Sequence, residues 1–198
     1  MDLVIQYIKG MIPYCMIGMM LYIIIRTRYY RKTSRKVEWN REIIALLFVA
    51  YISGLASQTI MPKWNFGIIS ATGKPYFDIY WSNGLAAVNL IPFKRILAQF
   101  MGNNHIVGEA DVYSVSVLNL LANLFLFSPL GFFLPMLWCK FRNIKYIVGM
   151  GVLISTGVEV IQLFVGRSCD IDDVILNTLG VVVGFMVYKF WGILRRKQ

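Results

Sequence analysis

The chain has 198 residues, of which 58% are hydrophobic and 15% charged, and it carries a net charge of +10. A soluble globular domain carries about 45–50% apolar and about 25% charged residues. The composition, with a mean hydropathy of +0.61, therefore excludes a water-soluble enzyme and a disordered tail, and points to an integral membrane protein.

Five apolar stretches are long enough to cross a bilayer core, which takes about 20 helical residues. They run approximately over residues 3–25, 43–61, 115–138, 144–165 and 174–194. The first lacks a basic leader and a small-residue cleavage site, so it reads as a retained span rather than a signal peptide. The expected fold is all-α: one polytopic membrane domain over residues 1–198, with the termini on opposite sides.

Charge placement sets the expected orientation. Basic residues cluster at Arg26, Arg28, Arg31, Lys32, Arg35, Lys36 and Arg41, then at Lys140, Arg142 and Lys145, then at Lys189, Arg195, Arg196 and Lys197. In a five-span chain all three clusters fall on one side. The positive-inside rule makes that side cytoplasmic, with the N-terminus outside and the C-terminus inside a plasma membrane. This accounts for the basic charge without a nucleic-acid partner. The Arg26–Arg41 loop is also placed to meet anionic lipid headgroups. Membrane lipids are the expected surroundings. Cys15, Cys139 and Cys169 are too widely spaced for a disulfide or metal framework and read as free thiols. No cofactor is expected.

The outer loop over residues 62–114 is too long for a passive connection. Phe66–Ser70, Thr72-Gly73-Lys74 and Tyr76–Tyr80 read as a small β-hairpin. Pro92 suits the first turn of a helix. After it, Phe93, Ile96, Leu97, Phe100 and Met101 share one face, while Lys94 and Arg95 fall elsewhere. That is a short amphipathic helix lying in the outer interface. His105, the single histidine, sits in the polar run Gly102-Asn103-Asn104-His105 and reads as a solvated loop residue.

The spans carry polar groups that cost about 2.5–3.5 kcal/mol each on insertion scales if ionised and unpartnered. Asn119 and Asn123 share a helix face at i, i+4. Pro129 then frees a backbone carbonyl and is placed to kink the third span. Glu159 and Gln162 share a face of the fourth span. Past Arg167, a helix beginning near Asp170 would align Asp170, Asp173, Asn177 and Gly180. Helix capping would account for one or two of these aspartates, but not for Arg167 beside them or for the stripe continuing to Asn177. Arg167 can grip a carboxylate or a phosphate through two bonds. Asn89, Lys94, Arg95, Asn119, Asn123, Glu159, Gln162, Arg167, Asp170, Asp173 and Asn177 form one candidate outward-facing cluster. It is either a structural polar core or a binding or catalytic site.

These segments resemble the VanZ-like family of membrane proteins, named for a teicoplanin-resistance determinant of Gram-positive bacteria. The matching pieces are Asn89-Leu-Ile-Pro-Phe93, Asn119-x3-Asn123, Phe127-x-Pro129-Leu-Gly131, Glu159-x2-Gln162, Gly166-Arg-Ser-Cys-Asp-Ile-Asp-Asp173 and Asn177-Thr-Leu-Gly180, spread over about residues 50–190. The resemblance implies a polytopic plasma-membrane protein with a part in resistance to lipid-tailed glycopeptide antibiotics. It supplies no catalytic residues.

Three functions remain open on the sequence. The cluster and the interfacial helix can form an outer groove for an amphiphile, such as a lipoglycopeptide or a polyprenyl-linked cell-envelope precursor, with Arg167 and Lys94 or Arg95 on a phosphate. Alternatively, Glu159, Asp170 and Asp173 can serve an intramembrane enzyme acting on such a substrate, either by holding a hard divalent cation or by general acid–base work. A transporter or channel fits less well, because five spans show no repeat symmetry.

Overall fold

The computed structural model describes residues 2–61, 63–69, 72–80, 88–94, 96–97, 109–165 and 168–196. Among them are five helices long and apolar enough to cross a membrane. These are α1 (Asp2–Thr33), α2 (Trp39–Thr59), α3 (Glu109–Leu137), α4 (Ile144–Phe164) and α5 (Ile171–Arg196). The protein is a multi-pass, mostly helical membrane protein. Its helices present Met16, Ile17, Leu153, Phe164 and Phe190 outward, as apolar lipid surroundings require.

Helices α1 and α2 form an antiparallel pair. Gly18 lies against Ser53, and Gly54 lies against Met11 and Cys15. The Cys15 thiol donates to the Ala50 carbonyl at 3.2 Å. At the other end of the pair Glu42 accepts from the Arg26 guanidinium, from Tyr22 at 2.7 Å and from Tyr30 at 2.8 Å. Helix α1 continues to Thr33, two turns past the expected end of its span. Arg26, Arg28, Arg31 and Lys32 are therefore helical, and the connection to α2 shrinks to residues 34–38.

The tightest packing is between α3 and α5, which run in the same direction. A Cβ on Gly180 would meet the Leu124 carbonyl oxygen at 2.3 Å. On Gly184 it would meet the Ser128 oxygen at 1.7 Å, and on Gly131 the Val181 oxygen at 1.8 Å. Small residues let backbones approach this closely, which is how membrane helices associate without a hydrophobic drive between them. Phe127, Leu130, Leu134, Ile147, Val158, Val181 and Phe185 fill the core around the contact. Tyr51 of α2 donates to the Leu126 carbonyl at 2.9 Å and ties the first pair of helices to the rest.

Helix α3 runs unbroken through Pro129 and Pro135. Pro129 cannot donate to the Phe125 carbonyl, but the Ser128 hydroxyl does so at 3.0 Å. A neighbouring hydroxyl thus satisfies the freed group.

In the connection between α2 and α3, β1 (Lys63–Ile68) and β2 (Pro75–Tyr80) form the expected antiparallel hairpin. Gly73, at φ +65°, supplies the left-handed residue of its turn. A second ladder was not expected. The two-residue strands β3 (Val88–Asn89) and β4 (Cys169–Asp170) pair in parallel. After β3 the chain turns at residues 91–94, and the Leu97 N–H donates to the Phe93 carbonyl at 2.9 Å. Residues 94, 96 and 97 are helical, at the place where the short amphipathic helix is expected. The difference is at Phe93, which takes a positive φ of 63° instead of a helical one. Phe100 and Met101, and also His105, lie outside the described residues.

Candidate functional site

The site forms where β4 leads into α5. The helix begins at Ile171, so Asp170 precedes it, in the short ladder with Asn89. The Asp170 carboxylate accepts from the Asn89 side-chain amide at 3.0 Å and from the Asp172 N–H at 3.0 Å. The second bond is the capping role that an aspartate at a helix start performs. The Asp170 N–H donates in turn to the Glu159 carboxylate at 2.8 Å. Glu159 is 3% exposed. A buried carboxylate needs such donors, and a hydrogen bond to a charged group contributes about 1.5–3 kcal/mol.

The expected stripe Asp173–Asn177–Gly180 divides between two neighbours. Asp173 accepts from the Asn123 amide of α3 at 2.7 Å. The Asn177 amide of α5 donates to the Ser155 hydroxyl of α4 at 2.9 Å. Gly180 backs onto α3 instead of extending a polar face. The Asn177 Oδ1 is buried with no hydrogen-bond partner among the described residues. The Gln162 amide donates to the Thr59 carbonyl at 2.9 Å and so draws in the end of α2. Asn119 is on α3, with its side chain outside the described set. Lys94 is exposed on the turn after β3, and Arg95 and Arg167 lie outside the described residues.

Asp172 is the residue that the sequence reading left out. It is 1% exposed. Its carboxylate accepts the Phe93 N–H through one oxygen and the Ile96 N–H, at 3.1 Å, through the other. It therefore caps the turn that carries Leu90, Ile91, Phe93 and Leu97, all of which are exposed. A signal was present in the third acidic residue of Asp170-Ile-Asp-Asp173. An acidic residue there equally suits capping its own helix, and nothing local in the sequence points to a turn 79 residues away. Ser155, one turn deeper than Glu159, and Thr59 are not among the expected site residues, because hydroxyls are common in apolar helices.

Glu159, Asp170, Asp172 and Asp173 thus hold backbone and amide donors from four different segments. Among the described residues no three His, Cys, Asp or Glu side chains converge on a point able to hold a metal ion. The arrangement joins the turn after β3 to α3, α4 and α5 and keeps the Asp170 and Asp172 carboxylates beside an exposed apolar turn. Cys169 sits at its edge. Burial pushes that thiol up from its ordinary value, and the Glu159 and Asp170 carboxylates push the same way.

No curated protein and no solved structure matches the chain. A family model described as VanZ/LLP1 matches residues 12–193, which takes in α1 from Ile12 on, all of α2 to α4, and α5 as far as Ile193. The segments whose side chains meet here, Asn89 to Phe93, Asn123, Glu159 with Gln162, and Asp170 to Asn177, all lie inside the match. The chain belongs to the VanZ/LLP1 family.

Proposed function

We propose that the protein binds an amphiphile at the outer end of α3, α4 and α5 and thereby contributes to glycopeptide resistance. The ligand class is a lipid-tailed glycopeptide such as teicoplanin, or a polyprenyl-linked cell-envelope precursor. The reading takes residues 1–198 as one domain in the plasma membrane, N-terminus outside and C-terminus cytoplasmic, so that the cluster faces out.

One observation carries the proposal. The buried Asp172 carboxylate holds the exposed apolar turn Leu90, Ile91, Phe93 and Leu97, and the buried Asp170 is bonded to Asn89, which lies next to that turn in the chain. An amphiphile needs both surfaces, an apolar one for its tail and a polar one for its head. Lys94, on the same turn, with Arg95 and Arg167, would supply cations for a phosphate or carboxylate. Asn89, Asn119, Asn123, Glu159, Gln162, Asp170, Asp173 and Asn177 would supply the polar wall.

The test is incubation of purified protein with teicoplanin and with a polyprenyl phosphate, with and without Mg²⁺ or Mn²⁺, followed by mass spectrometry. Retention of unchanged ligand supports binding. A new product would replace the binding reading with an enzyme acting on an envelope lipid or glycopeptide. Arg167→Lys separates two roles, because it keeps the charge and loses the planar fork. A two-bond grip on the ligand predicts that Lys fails nearly as badly as Ala.

A further inference from the structure

The hairpin between α2 and α3 has two faces of different chemistry. Its register pairs Trp64 with Ile79, Phe66 with Phe77, and Ile68 with Pro75. It also pairs Lys63 with Tyr80, Asn65 with Asp78, and Gly67 with Tyr76. Directly paired residues share a face, and alternate pairs take opposite faces. Every position on the first face is therefore apolar. The second combines Lys63, Asn65 and Asp78 with two tyrosines and a glycine. The Tyr76 ring lies over Gly67, where a Cβ would meet the ring at 2.8 Å.

Ile68 is 66% exposed and Phe77 60% exposed, and Ile69 at the turn is 43% exposed. A two-stranded hairpin is marginal in water by itself and needs its apolar face covered. Strand β1 starts at Lys63, four residues after α2 ends at Thr59. The linking Met61 is itself exposed. Four extended residues span at most about 14 Å, so the hairpin stays at the membrane boundary where α2 emerges. Aromatic and aliphatic positions on one face, with Lys63 and Lys74 at the two ends, match the chemistry of elements that lie in the headgroup region.

From this amphipathic register and short tether we infer that the β1–β2 hairpin is a membrane-interface anchor. The face of register positions 64, 66, 68, 75, 77 and 79 lies in the lipid of the leaflet at which α2 ends, and the face of positions 63, 65, 67, 76, 78 and 80 lies toward water. The partner is a lipid surface, and the inference does not depend on the ligand of the polar cluster. Held there, the hairpin fixes the start of the segment that leads on to Asn89.

The test replaces Cys15, Cys139 and Cys169 with Ser and places single cysteines by Ile68→Cys, Phe77→Cys, Asn65→Cys and Asp78→Cys. Each variant carries an environment-sensitive fluorophore on the full chain in phosphatidylcholine–phosphatidylglycerol vesicles. Labels at 68 and 77 are expected to emit blue-shifted light and to lose emission to brominated lipid. Labels at 65 and 78 are expected to lose it to aqueous iodide. If 68 and 77 are quenched by iodide like 65 and 78, the hairpin stands in water and the inference is wrong. If 68 and 77 are shielded from both quenchers, protein covers the face, either the bundle or a second copy, and the lipid anchor is again overturned. The four sites are read independently, so one poorly folding variant does not remove the comparison between faces.

Discussion

Asp172 holds Phe93, 79 residues away, in a backbone conformation that Phe93 would not adopt alone. Phe93 sits at φ +63°, and its N–H donates to the Asp172 carboxylate. A left-handed non-glycine residue costs about 1–2 kcal/mol. Two hydrogen bonds to a charged carboxylate contribute about 1.5–3 kcal/mol each. The cap outweighs the strain, so the apolar turn is fixed beside the polar cluster by a residue of α5.

The first prediction is that Asp172→Asn loosens this turn. The amide offers one acceptor oxygen where two N–H groups converge, and it turns a donor toward one of them. The expected cost is about 1–3 kcal/mol, the usual range for an unsatisfied buried group. Limited proteolysis should cut residues 90–97 faster in the variant, while the helices keep their protection. Equal cutting rates would mean that the turn holds without the cap.

The second prediction concerns the α3–α5 contact. Gly184→Ala should lower membrane abundance and melting temperature, because its Cβ would overlap the Ser128 carbonyl. Overpacking of this kind costs about 1–3 kcal/mol. Gly149→Ala and Gly157→Ala, with open space at the Cβ, should be neutral or slightly stabilising. Thermal unfolding in detergent checks all three. A tolerated Gly184→Ala would show that the helices separate at no cost.

Much of the architecture was legible because apolar length and charge placement are local signals. The five spans follow from runs of about 20 apolar residues. The hairpin follows from strand formers around Thr72-Gly73-Lys74. The basic run Arg26–Lys32 was read as loop because of its charge, yet it continues α1. Arg and Lys are good helix formers, and a span may end inside a longer helix. The β3–β4 ladder was invisible, since two-residue strands separated by 81 positions leave no periodic pattern. The polar members Asn123, Glu159, Asp170 and Asp173 were found because polar groups in an apolar helix are conspicuous. Their pairing was not, because it depends on how α3, α4 and the turn after β3 meet α5. Gly180 was assigned to the polar stripe for its place on the wheel. Gly180 and Gly184 together were the better signal, a small-residue pair for close packing.

The third prediction uses Cys169. The thiolate is the reactive form, so a raised thiol value lowers reactivity at neutral pH. Maleimide labelling of Cys169 should be slow at pH 7 and still be rising at a pH where an ordinary thiol, half ionised at about pH 8.5, has already levelled off. Glu159→Gln removes a charge that pushes the thiol up, so it should speed labelling at fixed pH. A pH profile that levels off in the ordinary range would contradict the burial and charge described for this corner.

The fourth prediction tests orientation. Cys139 lies in the 3₁₀ turn Cys139–Arg142 between α3 and α4, and Cys169 lies between α4 and α5, at the opposite end of α4. With the basic clusters in the cytoplasm, an impermeant thiol reagent should reach Cys169 on intact cells. It should reach the exposed Cys139 only after permeabilisation. The reverse pattern would turn the polar cluster to the cytoplasm and end the proposed outward-facing site.

The most direct test of the account is ligand binding by the protein in lipid nanodiscs, with labelled teicoplanin and a labelled polyprenyl phosphate titrated against wild type and Glu159→Gln. The Gln side chain keeps an oxygen able to accept the Asp170 N–H, so the fold should survive while a charge is lost. The account predicts saturable binding of at least one ligand by wild type, and its loss in Glu159→Gln at unchanged melting temperature. No saturable binding of either ligand, or equal binding by the variant, would contradict the claim that the cluster is a ligand site and leave it as architecture.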